Sequence, residues 1–569
     1  MNFIQFLKDR KKNLIIFGAI VFIFIGLRVF GIYLPYHQDE WKNVSTSSTV
    51  AGAGSFFAHP PLFQMIFVAG NFILGDANMR ILPLLFSVAS VILLYFVVCN
   101  RLGKRVALWS VAFFSICFYN ILGSLSPDVD GAILPFFFLL AVYAYDKLML
   151  SEKTSVKWKW FLFLTGALLI GFLIKLNFIL VIGTILVDYV WSRGKKMNRR
   201  EISFVILGIF GFSLAYIALI YGIKVIYPAF DISIMMGHAK QFTAEGRNWI
   251  QIFVQGLKAI FYLSPLMIIP IFFINKDIFR RTRIFSIYLI LGFIFYFILF
   301  DFSRGALDKY LMFSIVPLSV ICGTIFANIF SNLNSLKENK FIRFVILGAV
   351  LSSFLIFLNF TSHLIVPLYP KTEWFGKVAH LKWNFLNPFH GGSGPLGFYV
   401  SFLFIVFSFI VSLILGIAGL IKKEWRIGVC AGLIIIGISY NLIFAEEFLF
   451  GKINGSAPKV LREAVSFIGN SPQIKNVLTY NDIGNNELSK IRKYAGRIYA
   501  TPQSEDGYRK RFAEHIATNG GYFLVVDIPH INPKSFYGEF FTKCKTEFEA
   551  RDRKIEAKVY DCKNAKSAI

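Results

Sequence analysis

Two adjacent carboxylates, Asp39 and Glu40, follow the first long apolar run of the chain, in the stretch YLPYHQDEWKNV. A carboxylate held beside a reacting hydroxyl can accept its proton, which accelerates reactions by about 10²–10⁴-fold. The simpler interpretation of such a pair is a helix cap or a solvated surface, because a helix N-terminus stabilises negative charge. A catalytic hypothesis therefore requires other ionisable residues on the same face of the protein.

The composition places these carboxylates in a membrane protein. Of the 569 residues, 56% are hydrophobic and 16% are charged. Apolar runs of about 20 residues, the length of a membrane-crossing helix, recur from Leu14 to Phe450. The formal net charge of +26 lies in short basic clusters between these runs. That pattern is typical of cytoplasmic loops and argues against nucleic-acid binding.

The basic clusters also predict a topology. If all of them are cytoplasmic, an even number of crossings separates each neighbouring pair, the N-terminus is inside and the C-terminus is outside. About thirteen apolar runs meet this condition: 14–34, 78–99, 106–122, 131–149, 158–174, 177–191, 202–227, 257–274, 284–301, 310–330, 343–367, 397–421 and 427–449. The first run is too long for a signal peptide and is predicted to be retained.

One apolar segment, residues 58–75, does not fit this alternation. It is short and begins with two prolines, and counting it as a span would invert everything downstream. We expect a helix that dips into the outer face or lies along it. An ordinary short span is the alternative.

Acids and bases converge on the predicted outer face. The outer segments include 35–76, 228–256 and 368–396 within a membrane domain covering 1–450. Ionisable residues on this face that could build a site are Asp39, Glu40, His59, Asp128, Asp130, Lys175, Arg247, Arg304 and Lys309. Since charges at membrane level are costly, their clustering tends to mark a functional site.

The composition becomes that of a soluble domain after Phe450, and residues 451–569 are predicted to form a small α/β domain outside the membrane. NVLTY, GYFLVVDI and IEAKVYDC predict strands, and helical patterns lie near 457–469 and 505–518. Cys544 and Cys562 lie in this domain and could form a disulfide in an oxidising compartment. The other four cysteines lie in or beside apolar runs and are interpreted as small buried hydrophobes.

Several motifs, in order along about the first 320 residues, resemble the GT-C membrane glycosyltransferases, in particular the ArnT-like and protein-mannosyltransferase-like branch. QDEW after the first span is followed by HPPL at His59–Leu62. SPDVDG lies at the position of that family's acidic loop, GALLIGFLIKLNFIL resembles its segment with a lysine ending a glycine-containing span, and DKYLMFSIVPLSV resembles a later segment. The rest of the chain resembles the family in architecture only.

The resemblance implies transfer of a sugar from a polyprenyl-phosphate donor to a glycolipid such as lipid A, a polysaccharide or a protein on the outer face. A single displacement inverts the anomeric carbon, and needs a base for the acceptor hydroxyl and positive charge for the leaving phosphate. A bacterial inner membrane is the expected location. The rival functions are a polysaccharide polymerase or ligase using lipid-linked sugars, and a transporter, although the chain shows no similarity between two halves.

Each candidate residue has a role and a simpler alternative. Asp39 is the predicted base, with Glu40 as its partner or as a metal-facing ligand, and adjacent carboxylates cannot be ranked from sequence. Asp128 is the second acidic candidate or a turn residue, and His59 orients the loop or the acceptor or merely starts a helix. Lys175 is the predicted phosphate ligand or a lysine snorkelling to the interface.

Arg247, Arg304 and Lys309 are further predicted substrate ligands, each of which could equally be an ordinary loop charge. Ala58, just before HPPL, replaces a residue that is often polar or basic in the resembled family, so contacts to the leaving group could differ. A divalent metal ion stays an open possibility, and the sequence does not require one.

Overall fold

The computed structural model describes residues 3–49, 59–194, 197–228, 230–243, 246–303, 307–331, 338–361, 365–367, 369, 371–386, 396–498, 521–528 and 530–568. It is a helical membrane protein with a small C-terminal sheet domain, as predicted. The predicted boundary between 450 and 451 falls between the last long apolar helix, which ends at Leu449, and the next helix, which begins at Ala457.

The helices of the membrane part follow one another with short connections. Their bounds are α1 Phe3–Val29, α2 Gln38–Thr49, α3 Pro61–Leu74, α4 Ile81–Leu102, α5 Lys104–Ile116, α6 Phe118–Leu125, α7 Leu134–Leu150, α8 Thr154–Ile174, α9 Ile179–Arg193, α10 Arg199–Ile226, α11 Ile232–Lys240, α12 Trp249–Leu263, α13 Pro265–Ile268, α14 Lys276–Arg281, α15 Arg283–Phe293, α16 Leu307–Tyr310, α17 Ile315–Ile329, α18 Glu338–Phe360, α19 Trp374–Ala379, α20 Phe402–Ile421 and α21 Arg426–Leu449.

Each of the thirteen predicted runs coincides with a helix or with a bent pair of helices. Among the described residues, ten helices are long and apolar enough to cross a membrane, and two bent pairs raise the number to twelve. The bent pairs are α5–α6, with a 66° bend, and α12–α13, with a 96° bend. The remaining predicted run, 284–301, corresponds to Arg283–Leu299, a shorter apolar helix whose last turns are of the π type.

The proline-led segment forms helix α3, which packs against α2 and α8. Its 14 residues span about 21 Å at 1.5 Å per residue, less than the roughly 30 Å of a bilayer core. Pro61 occupies the first helical position, where its missing N–H costs nothing. The prediction that α3 lies along or dips into the outer face is compatible with this length and stays a prediction.

The C-terminal domain contains a five-stranded sheet and, among its described residues, three α-helices. Its strands are β1 Val477–Tyr480, β2 Tyr494–Ile498, β3 Tyr522–Val526, β4 Lys545–Asp552 and β5 Ile555–Asp561. Its helices are α22 Ala457–Asn470, α23 Asn485–Lys490 and α24 Phe536–Phe541. The strand order is β2-β1-β3-β5-β4, with β1 parallel to β2 and β3, and β5 antiparallel to β3 and β4.

The three predicted strands and the first predicted helix of this domain are confirmed. Strands β2 and β4 were not predicted, because YAGRI and KTEFEARD carry glycine or many charges and lack a buried apolar face. The helical pattern at 505–518 lies outside the described residues. Cys544 and Cys562 form a disulfide, and of the four free cysteines Cys117, Cys322 and Cys430 are buried and Cys99 is partly buried.

Buried hydrogen bonds join this domain to the membrane part. Glu447 of α21 accepts from Asn359 of α18 at 2.9 Å and from the backbone N–H of Asn454 at 3.2 Å. The Tyr399 hydroxyl donates to the Asp527 carbonyl oxygen at 2.8 Å, and His37 Nε2 lies 3.0 Å from the Asn481 carbonyl oxygen. Because His37 directly precedes the QDEW stretch, the sheet domain and these carboxylates lie on the same side of the membrane.

Replacing both Cys544 and Cys562 with serine is expected to destabilise the sheet domain. The bridge closes a loop with a sequence separation of 18, and a loop of this size contributes about 3 kcal/mol in the chain-entropy model. The measurement is limited proteolysis of the full-length protein in detergent, followed by mapping of the cuts. Faster cleavage after residue 450 is expected, whereas an unchanged rate would show that the bridge adds no stability.

Candidate functional site

Lys309 joins two of the predicted acidic residues. Its ammonium lies 3.6 Å from Oδ2 of Asp39 and in direct contact with Asp128. A second pair lies beside it, in which Nζ of Lys175 donates to Oδ2 of Asp130 at 2.5 Å. The structure therefore brings together residues from four separate stretches of the chain into one cluster of charges.

The three carboxylates of this cluster differ in their access to solvent. The side chain of Asp39 is 30% exposed, whereas those of Asp128 and Asp130 are 8% and 4% exposed. Asp39 also accepts a hydrogen bond from Lys42 at 3.0 Å. Of these three, Asp39 has the carboxylate best placed to meet a hydroxyl group entering from solution.

A sharp turn between α6 and α7 places Asp128 and Asp130. Asp128 is the cap of a π-type turn over Val129–Ile133 and accepts from the backbone N–H of Val129 at 2.6 Å. The preceding Pro127 carbonyl accepts from Asn43 of α2 at 2.8 Å. Asp130 was expected in an outer loop, but it lies in the first turn of the helical segment that continues as α7.

Two glycines allow this turn to pack closely. A Cβ atom on Gly131 would lie 2.3 Å from Cα of Gly123, and one on Gly123 would lie 2.8 Å from Cα of Gly131. Real Cβ atoms do not approach backbone that closely, so only glycine fits at either position. The contact holds the turn carrying Asp128 and Asp130 against the buried helix α6.

Lys175 lies at the tip between α8 and α9, where it is paired with a carboxylate of the protein. It contacts Asp130, and its ammonium lies 4.5 Å from the centre of the Tyr310 ring. Tyr310 follows Lys309 directly, so the two lysines share neighbours. Nearby Asn177 donates to the Tyr296 hydroxyl at 2.6 Å and so holds the tip against the π-type turns that follow α15.

Lys309 lies in the short helix α16, not in a loop. The start of α16 is held by Gln255 of α12, whose Oε1 accepts from the Leu307 backbone N–H at 2.6 Å. The same amide donates to the Ser303 carbonyl at 3.2 Å. A buried side chain on a neighbouring helix thus sets the position of the lysine.

Glu40 does not face this cluster. Its carboxylate makes a two-fold ion pair with Arg80, at 2.7 and 2.9 Å, and both side chains are fully buried. Arg80 also donates to the carbonyl oxygens of Leu34, Pro35 and Leu125. The pair ties the segment before Asp39 to α4 and α6, so the contacts of Glu40 are those of a positioning residue.

His59 lies near the cluster and beside a second histidine. The His59 and His238 rings are 5.0 Å apart, and His59 also contacts Phe63. Burial and the positive charge of Lys175 hold the pKa of His59 well below its usual range. Burial and Lys175 also lower the pKa of His238. Both rings are therefore neutral at pH 7 and able to hydrogen-bond without adding charge.

The lysines keep Asp39 and Asp128 ionised. Burial acts to raise the pKa of Asp39, but Lys309 and Lys42 outweigh it and hold the pKa below its ordinary value. The same balance of burial against Lys309 and Lys175 sets the pKa of Asp128 at about 2. For Lys175, burial acts to lower the pKa, and Asp130, Tyr310 and Asp128 together outweigh it and raise the pKa.

Two of the predicted substrate ligands are not seen in the cluster. The guanidinium of Arg247 lies 5.1 Å from the centre of the Trp249 ring, which is its described contact. Arg304 lies outside the described residues. Among those described, no group of three or more His, Cys, Asp or Glu side chains is arranged to hold a metal ion.

Sequence reasoning missed Arg80, Tyr310 and a second pair of cations. Lys258 of α12 and Lys371 lie 5.7 and 5.9 Å from the centre of the Trp374 ring. Lys258 is buried, and it makes no ion pair or hydrogen bond with any described residue. A lysine inside an apolar run was a signal that could have identified it, because such charges tend to be functional.

The described structure combines a polytopic helix bundle, a charged cluster at one end of it and a small sheet domain on the same side. Membrane proteins with this architecture have known structures. The crystal structure of apo ArnT from Cupriavidus metallidurans matches with a TM-score of 0.54 and 14% identity, covering 98% of this chain and 99% of that one. The same protein bound to undecaprenyl phosphate matches with a TM-score of 0.53 and 12% identity, covering 96% and 97%. The chain therefore has the ArnT fold.

The sequence comparisons agree with this fold. Residues 58–221 match the model of the family described as dolichyl-phosphate-mannose-protein mannosyltransferase. A protein from Aquifex aeolicus strain VF5, described as uncharacterised, is 25% identical over 336 residues, covering 55% of this chain and 73% of that protein. The predicted resemblance to the GT-C membrane glycosyltransferases is confirmed.

Removing the charge of Arg80 is expected to unfold the region around Asp39. Arg80→Met leaves Glu40 buried without a partner, and breaking one side of a buried pair costs about 3–5 kcal/mol. The double variant Arg80→Met with Glu40→Leu removes both charges and is expected to recover part of the loss. The measurement is the unfolding midpoint of each variant in detergent, and equal midpoints for Arg80→Met and the unaltered protein would contradict the structural role.

Proposed function

We propose that this protein transfers a sugar from a polyprenyl-phosphate donor to an acceptor hydroxyl by a single displacement. The observation that carries the proposal is the position of Lys309 between a part-exposed carboxylate, Asp39, and a buried one, Asp128. Such a displacement requires a base for the acceptor hydroxyl and a cation for the leaving phosphate, and the two groups must lie close together. The family match over 58–221 and the ArnT fold support the same reaction class.

In the proposed reaction the acceptor oxygen attacks the anomeric carbon while the bond from that carbon to the phosphate oxygen breaks. Asp39 takes the hydroxyl proton, and the polyprenyl phosphate leaves with the bonding electrons. Attack opposite the leaving group inverts the anomeric configuration. Asp39 is suited to this role because it is ionised and because its side chain is the most exposed of the three carboxylates.

Lys309 and Lys175 are the proposed ligands of the leaving phosphate. Ammonium groups held in a site largely closed to water stabilise developing negative charge more strongly than they would in solution. Asp128 and Asp130 hold these lysines in place while the phosphate is absent. A phosphate near Lys309 would compete with Asp39 for the lysine, so donor binding would free Asp39 to accept a proton.

The proposed location of the site is the outer face of a bacterial inner membrane, with the N-terminus in the cytoplasm. The basic clusters between the spans favour this orientation. The disulfide between Cys544 and Cys562 also favours it, because such bonds persist in oxidising compartments. The acceptor is proposed to be a glycolipid such as lipid A, a polysaccharide or a protein, and the donor sugar is left open.

Asp39→Asn is expected to abolish the product of the enzyme in cells. The measurement is mass spectrometry of lipids and envelope glycans from cells lacking the gene, complemented by the unaltered chain, by Asp39→Asn or by Asp277→Asn. Asp277 is exposed in the first turn of α14, away from the cluster, so its variant is the matched control. The loss of a base predicts a reduction of about 10²–10⁴-fold in rate.

Restoration of one sugar by the unaltered chain and by Asp277→Asn, but not by Asp39→Asn, would identify the product and support Asp39 as the base. Restoration by Asp39→Asn would remove the catalytic assignment. Identical glycans in all strains would favour a transport function over sugar transfer.

The pH profile of the reaction tests how Lys309 acts on Asp39. In the unaltered protein the pKa of Asp39 lies below its ordinary value, so Asp39 stays ionised and kcat/KM should not fall between pH 8 and about pH 5 on its account. In Lys309→Gln one of the positive charges that lower the pKa of Asp39 is lost. The pKa of Asp39 should therefore rise, and the acid limb of kcat/KM should move to higher pH. Lys42→Gln, which removes the weaker of the two charges, is the control and should move the limb less. An unshifted acid limb in Lys309→Gln would mean that Lys309 does not set the protonation of the base.

A further inference from the structure

A cavity separate from the Lys309 cluster lies where the membrane helices meet the sheet domain. It is enclosed by the ends of α1 and α21, the start of α22 and the hairpin between β4 and β5, and its empty volume is about 930 Å³. None of the charged residues in the Lys309 cluster lines it. We call it the interfacial basic pocket, and define it by Tyr33, Lys452, Lys459, Arg462 and Arg553.

The charges of this pocket are unbalanced. Four cations and one carboxylate, Asp552, line it. Asp552 lies 3.6 Å from Lys459 and accepts from the Ser456 backbone N–H at 3.1 Å, so it is already occupied. No carboxylate of the described residues lies within ion-pair distance of Lys452, Arg462 or Arg553. Glu446 at the end of α21 interacts electrostatically with Lys452 and Arg553, so four cations share two carboxylates and the pocket keeps a net positive charge.

The pocket lies at the level where a bilayer changes from hydrocarbon to headgroups. Its wall includes the last residues of two apolar helices and three aromatic side chains, Phe30, Tyr33 and Phe450. Phe30 and Tyr33 are 62% and 75% exposed, and the Phe30 and Phe450 rings are 5.4 Å apart. Exposed aromatic rings at the ends of membrane helices are typical of the interface between lipid and water.

Basic residues above an aromatic belt match the structure of an anionic lipid. The acyl chains would lie along the exposed aromatic side chains of α1, and the phosphate would lie among the cations. Arginine is well suited to this contact because its planar guanidinium binds two phosphate oxygens at once. The surrounding cations add attraction at short range, since each basic residue at a membrane surface contributes to binding of anionic lipid.

We propose that the interfacial basic pocket binds the phosphate headgroup of an anionic membrane lipid. The bound lipid connects the membrane helices to the sheet domain, because Arg462 and Arg553 belong to the sheet domain whereas Tyr33 follows α1. This site is separate from the proposed sugar-transfer site and does not depend on that reaction.

The test is native mass spectrometry of the full-length protein in neutral detergent, with equal concentrations of phosphatidylglycerol and phosphatidylcholine, and with inorganic phosphate in a separate arm. Retained phosphatidylglycerol is expected on the unaltered protein, without retained phosphatidylcholine. Arg462→Gln with Arg553→Gln should weaken phosphatidylglycerol binding by about tenfold or more, since two cations are lost. Binding of inorganic phosphate as tight as that of phosphatidylglycerol would instead assign the pocket to a free anion.

The matched control is Lys475→Gln with Arg492→Gln. Both residues are exposed on the sheet domain and neither lines the pocket, and Arg492 shares with Arg553 a positive φ, of 56° against 57°. The control should bind lipid as the unaltered protein does. Equal loss in the control and in the pocket variant, or no loss in either, would overturn the proposal.

A single variant, Lys452→Gln, keeps the test decisive if the double variant does not fold. Lys452 is exposed and forms no ion pair with any described residue, and its ammonium lies 5.3 Å from the centre of the Phe450 ring, so Lys452→Gln disturbs the fold less than the double variant does. A smaller but measurable loss of phosphatidylglycerol is expected. Unchanged lipid binding in Lys452→Gln would count against the pocket.

Discussion

Lys309 and Lys175 hold three carboxylates together in a space that is mostly closed to water. Burial and mutual repulsion each penalise the charged form of a carboxyl group, and only a nearby cation reverses the penalty. Lys309 does this for Asp39 and Asp128, together with Lys42 and Lys175, while Asp130 is held in an ion pair with Lys175. The helices that carry these residues must therefore meet in one arrangement, because a displaced lysine would leave a buried charge without a partner.

The scaffold around the cluster consists of contacts that have no role in the chemistry itself. The buried pair of Glu40 and Arg80 anchors the segment before Asp39, and the close approach of Gly123 and Gly131 anchors the turn of Asp128. Gln255 does the same for the helix of Lys309. Each contact joins parts of the chain that are distant in sequence, so the position of the base depends on the packing of the whole helix bundle.

The sheet domain is attached to this scaffold at more than one point. His37 contacts it two residues before Asp39, and Glu447 and Asn454 connect it to α18 and α21. Movement of the sheet domain would therefore reach the segment that carries Asp39. A lipid in the interfacial basic pocket would bind at the same contact region between the two parts of the protein, between α1 and the hairpin of β4 and β5.

The sequence by itself determined the membrane class, the thirteen apolar segments, three of the strands and most members of the cluster, since Asp39, Asp128, Lys175 and Lys309 were all predicted. These features depend on the local composition and on the order of charges along the chain, which need no knowledge of packing. Only the tertiary structure decided the partners: that Glu40 pairs with Arg80, that Lys175 is neutralised by Asp130, and that Lys309 lies between two acids. Arg80 and Tyr310 gave no clear signal because their environment comes from helices far away in sequence. The sequence gives the charge of each side chain. The packing of the helices determines which residues surround that side chain, and therefore which chemistry it can carry out.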